Sequence, residues 1–122
     1  MKFQIKYIFI FNSILALIFG LGFMFIPDIL MTMIGFSAAS DGPTAFRFFG
    51  IAVFGISILT FAVRNEETST ARRSIILFLF IVYLLMDIFH FIFCDLTNLM
   101  LWFVIVIHTI LAIAYGYFLF KK

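Results

Sequence analysis

The chain has 122 residues, of which 66% are hydrophobic and only 11% charged, with a net charge of +2. Soluble domains are about 45–50% apolar and about 25% charged, so a water-soluble globule of this length is excluded and lipid must solvate most of the surface. The small positive charge, with no basic patch interleaved with aromatics, also sets nucleic acid aside as a partner. Cys94 is the single cysteine, which rules out an internal disulfide and a cysteine-rich metal site.

Met1–Lys6 is short and basic, and the run from Tyr7 to Ile26 carries no charge. At about 1.5 Å of rise per residue it covers a hydrocarbon core of about 30 Å. It is longer than the apolar region of a cleaved signal peptide. The small residues Ala38, Ala39 and Ser40 also lie well beyond its end, so it reads as a retained span. Asn12 and Ser13 interrupt it, and Ala16 and Gly20 continue the side of Asn12 as a small-residue packing face. Pro27 ends this span. Asp28–Ile34 is too short to cross and suits a turn or two of helix lying at the interface, before the loop marked by Gly35 and Ser40–Pro43.

The second span is predicted over 44–63, with Arg47 near its start and Arg64 at its end. The polar loop Arg64–Arg73 leads to a third span over 74–94. Asp95–Asn98 forms a tight turn, and the fourth span runs over 99–120 until Lys121 and Lys122. The basic residues Lys2, Lys6, Arg64, Arg72, Arg73, Lys121 and Lys122 fall on one side, and only Arg47 on the other. The predicted arrangement is an all-α bundle of four antiparallel transmembrane helices with a short interfacial segment after the first. It is a multi-pass protein of the plasma membrane with both termini cytoplasmic. Short connections make sequential packing the expected order.

Tyr83, Asp87, His90 and Cys94 follow one another at spacings of four, three and four, so they share one face of the third span. A charged residue facing lipid at mid-depth costs on the order of 2.5–3.5 kcal/mol, which turns this polar stripe inward. Arg47, Asp87 and His90 fall at similar depths in the outer half, with His108 of the fourth span below them. The structural reading is a latch in which Arg47 pairs with Asp87 and each histidine donates to a carbonyl or tyrosine. The functional reading is a polar ligand or ion pocket of Arg47, Tyr83, Asp87, His90 and His108. Asp-x-x-His is a weak metal signal with only His108 as an obvious third donor, so no metal and no cofactor are expected.

Cys94 has no neighbour to activate it, and no nucleophile constellation or phosphate loop is present, so the chain is read as non-enzymatic. Leu111, Tyr115 and Lys121 match a proposed sterol-contact pattern. Beyond the bilayer, the expected partners are a membrane protein or a second copy, met through the Ala16/Gly20 and Ala112/Gly116 faces.

Arg47-Phe-Phe-Gly50 with Gly55, Ala62-Val63-Arg64, Ala71-Arg72-Arg73, Trp102 and the ending Tyr115-Gly116-Tyr117-Phe118 carry a resemblance. Over residues 43–120 the chain resembles a group of small bacterial and archaeal four-span membrane proteins with no assigned activity. That resemblance implies the four-span fold and a structural place for Arg47 and Gly50. The sequence thus leaves two main functional readings, with a membrane enzyme acting on a lipid as a third that lacks a recognisable nucleophile or metal triad. One is a binding or accessory protein. The other is a proton- or cation-coupled transport component using Asp87, His90 and His108.

Overall fold

A computed structural model describes residues 3–37 and 39–121. Lys2 and Lys122 of the predicted basic side, and Ala38 of the small-residue loop, lie outside the described residues. The described chain is all helical: α1 (Ile5–Phe25), α2 (Pro27–Met33), α3 (Gly42–Val63), α4 (Thr70–Phe93) and α5 (Leu99–Phe120). All but α2 are long and apolar enough to cross a membrane. Large apolar side chains cover the outside: Phe48, Phe93, Leu99 and Ile113 are each more than two-thirds exposed, a surface suited to lipid and not to water.

Local chemistry sets the helix ends. Pro27 opens α2, where its missing N–H does no harm. Gly35, with φ of 90°, closes α2 in the left-handed conformation. Phe36 N–H then bonds to Met31 O, and Gly35 N–H to Thr32 O. Helix α4 begins at Thr70, ahead of the apolar run, because the Ser69 side chain accepts from Arg72 N–H at 3.1 Å. Asn98 caps α5 the same way through Leu101 N–H at 2.9 Å.

The helices pack as two antiparallel hairpins, α1 against α3 and α4 against α5, joined mainly by α1 meeting α5. Close approach holds the first hairpin. A Cβ on Gly20 would stand 2.7 Å from Phe54 N, and one on Gly50 would stand 2.8 Å from Gly20 O. Below that contact, Ser13 Oγ donates to Ser57 O at 3.0 Å and Ser57 Oγ donates to Ser13 O at 2.8 Å. Sequential packing therefore fails at one step, since α3 and α4 are not a principal contact. The physical reason is that the small-residue face of α1 is matched by Gly50 and Ser57 of α3, which brings those two backbones together.

The Ala16/Gly20 and Ala112/Gly116 faces are both turned inward, the second against Phe80, and neither is free to meet another copy. The apolar core lies at the end of the bundle that carries the termini. It joins Ile5, Ile8 and Phe9 of α1 to Ile76, Leu79 and Tyr83 of α4 and to Leu111, Tyr115 and Leu119 of α5. Toward the opposite end the hairpins diverge.

Candidate functional site

The divergence leaves a cavity of about 560 Å³ between the hairpins. One wall is aromatic and comes from the first hairpin, where Phe23 lies 5.4 Å from both Phe46 and Phe49 between ring centroids. The facing wall comes from Val82, Tyr83, Met86 and His90 of α4 and Val104, Ile107 and His108 of α5. Phe36, held by the glycine turn after α2, packs on Phe46 at 5.4 Å and lines the same space.

A hydrogen-bonded triad forms the floor. Tyr83 Oη donates to Asn12 Oδ1 at 2.6 Å, and Asn12 Nδ2 donates to Tyr115 Oη at 2.8 Å. Asn12 and Tyr115 are fully buried. The buried hydroxyl of Tyr115 explains why Asn12 is tolerated inside a span. Its burial, with that of Leu111, also removes both from any lipid-facing sterol contact.

The polar wall holds the chemistry. Asp87, His90 and His108 each place a donor atom within 4.8 Å of the other two. The rings of His90 and His108 stack at 5.5 Å, and His108 lies 5.3 Å from the Tyr83 ring. Thr109 Oγ1 donates to Asp87 Oδ2 at 2.7 Å. The other carboxylate oxygen, Oδ1, faces His108 Nδ1 at 3.8 Å, close enough for ionic attraction but too far for a hydrogen bond. Asp87 Oδ1, His90 Nδ1 and His108 Nδ1 are all buried and make no hydrogen bond of ordinary geometry, although the Met86 carbonyl one turn back lies close to the His90 ring. An unsatisfied buried polar atom costs about 1–3 kcal/mol. The cluster is thus an incompletely satisfied polar group within an otherwise apolar bundle.

Arg47 is not part of this group. Its guanidinium donates to Met24 O in the last turn of α1, where a cation suits the negative end of the helix. The expected Arg47–Asp87 pair therefore does not form, because Arg47 belongs to the first hairpin and Asp87 faces the second. Arg47 and Gly50 both serve the α1–α3 contact. Tyr83, Asp87, His90 and His108 do come together. His108, expected below the others, lies beside Asp87 and between the rings of His90 and Tyr83, at 5.5 and 5.3 Å.

Thr109 was missed by the sequence reading. Reflection through the Asp95–Asn98 turn brings both His108 and Thr109 to within about one helical turn of the level of Asp87, and this was the available signal. Cys94 lies beyond the end of α4 in extended backbone and adds nothing to the cluster. No family model, no curated protein and no solved structure matches this chain, so the site is read from its own geometry.

Proposed function

We propose that this is a non-enzymatic binding protein of the plasma membrane that takes a small, largely apolar molecule with one polar group into the cleft between its hairpins. The observation that carries this reading is the cavity of about 560 Å³, within the usual 300–1,000 Å³ of a small-molecule site, apolar over most of its lining. Phe23, Phe46 and Phe49 suit the apolar body. His90 and His108 stand opposite for the polar group. Among the described residues, no serine, cysteine or lysine lines the cavity, which favours binding over group transfer.

In this reading the termini and the Arg64–Arg73 loop are cytoplasmic, in keeping with the distribution of basic residues, and the cleft opens outward. The packed core and the Asn12–Tyr83–Tyr115 floor lie between the cleft and the cytoplasmic end, which weighs against a single copy acting as a transport path.

Photolabelling tests the reading. The protein in lipid nanodiscs is exposed to a diazirine-bearing fatty alcohol, and labelled peptides are mapped by mass spectrometry. Labelling is expected on the cleft-lining turns of α3 and α5, and filling the cavity by Val104→Trp should abolish it. Labels spread over the lipid-facing circumference and unchanged by Val104→Trp would overturn the proposal.

A further inference from the structure

The polar wall asks for more than a hydrogen-bonding headgroup. From the convergence of Asp87, His90 and His108 we infer that the protein binds a divalent first-row transition-metal ion there, with zinc the best fit to the donor set. The inference stands on these three side chains and does not depend on what fills the apolar part of the cleft.

Three observations support it. First, the donors match: two imidazoles and one carboxylate are a common zinc set when a further coordination position is left open. Second, Asp87 Oδ1, His90 Nδ1 and His108 Nδ1 are buried without a hydrogen bond of ordinary geometry. A proton shared between Asp87 and His108 leaves His90 outside the group, whereas a cation engages one donor atom from each of the three residues. Third, the carboxylate has support from behind. Thr109 Oγ1 donates to Oδ2 at 2.7 Å, which turns Oδ1 toward the imidazoles in the manner of an outer-shell partner.

Charge points the same way. Among the described residues His108 is the only basic side chain within ion-pair distance of Asp87, because Arg47 is engaged at Met24 O. A carboxylate inside an apolar span needs a positive counterpart, and a bound ion supplies it. The geometry needs only a modest closure. Donors bound at about 2.0–2.2 Å in a tetrahedral site stand about 3.3 Å apart. The donors here lie within 4.8 Å of one another, and binding would require the two histidine side chains to rotate to close the difference. His90 and His108 also line the cavity, so the open position faces the cleft, where water or a ligand headgroup completes the shell.

The test uses the intact protein in detergent, with any purification tag removed and metal stripped by chelator. Co²⁺ serves as the spectroscopic probe and no apolar ligand is present, so failure of the cleft reading and failure of this one are separate results. The expected outcome is a visible Co²⁺ absorption that saturates at one equivalent and is displaced by Zn²⁺. His90→Gln and His108→Gln should each abolish it. Thr109→Val should keep the absorption but weaken binding by about 10-fold or more, as for other outer-shell partners.

No absorption from the wild-type protein would overturn the inference. So would an absorption unchanged in both histidine variants, since the ion would then sit elsewhere, for example at Cys94 and Asp95. If either histidine variant fails to fold by circular dichroism and gel filtration, Zn²⁺ titration against the melting temperature decides. A Tm that rises with Zn²⁺ in a Cys94→Ser background and not in Asp87→Asn supports the site, and a Tm that does not move, or moves equally in both, overturns it.

Discussion

Asn12 is the residue on which the two hairpins meet: its side chain accepts a hydrogen bond from Tyr83 and donates one to Tyr115, bridging α1 to both α4 and α5. Asn12→Ala leaves two buried hydroxyls without their partner and should lower stability by about 1–3 kcal/mol, read as a fall in Tm in detergent. In a Tyr83→Phe/Tyr115→Phe background the same change should be much milder, because no hydroxyl is left stranded. Arg47 behaves differently. It shares no partner with Asp87, so the losses from Arg47→Ala and Asp87→Asn should add to within about 0.5 kcal/mol, and strong non-additivity would restore the latch. The sequence made the inward stripe of Tyr83, Asp87 and His90 legible, because helical spacing and the penalty for charge in lipid act locally. It did not reveal the partner of Arg47, which depends on which helices become neighbours. Outside the spans, Asp95 Oδ1 accepts from Thr97 N–H at 2.9 Å and from Thr97 Oγ1 at 2.7 Å. These bonds hold its carboxyl below the usual carboxylate range. With the folded value lowered, the turn's support is present above the ordinary carboxylate value and is lost as pH falls through the lowered one. An NMR titration of the Thr97 amide should show this, and Thr97→Ala should shift the midpoint upward.

At the scale of elements, glycine placement explains why α1 chooses α3. Gly20 and Gly50 bring the two backbones into contact, and an added methyl meets backbone atoms that cannot rotate away. Gly50→Ala should therefore push the helices apart and cost about 1–3 kcal/mol, an overpacking effect. Gly55 is the internal control. A Cβ there meets nothing within 4 Å, so Gly55→Ala should be neutral or stabilising by up to about 1 kcal/mol through helix propensity. Thermal melts of the two variants separate close packing from propensity, and equal effects would contradict the contact. The spans themselves were legible because apolar length and Pro27 mark them directly. The choice of neighbours was not. Ala16 and Gly20 declare a packing face without saying whether α3 or a second copy fills it, and only the reciprocal Ser13–Ser57 bonds and Gly50 decide.

The molecule as a whole is asymmetric along its length, sealed toward the termini and open toward the α2 end. That asymmetry follows from side-chain size. Where α1 meets α4 and α5, Phe9, Leu79 and Tyr115 fill the centre completely. Toward the other end the centre is bordered by Ala16, Ala45 and Ala52, and the bulk of Phe46 and Phe49 stays on the wall of the first hairpin. Sequential antiparallel packing gives no hint of this opening, because it treats every contact along a helix as equal. Single cysteines placed in a Cys94→Ser background report it directly. A cysteine at Ile107 lies on the cleft wall and one at Leu79 lies in the sealed core. A small water-soluble thiol reagent should modify Ile107→Cys at least about 10-fold faster than Leu79→Cys, since only the thiolate in contact with water reacts. Zn²⁺ should slow the first reaction if the ion sits beside it at His108, and should leave the second unchanged. Equal rates at the two positions would mean that water reaches both ends of the bundle. A transport path through one copy would then become the better account of Asp87, His90 and His108.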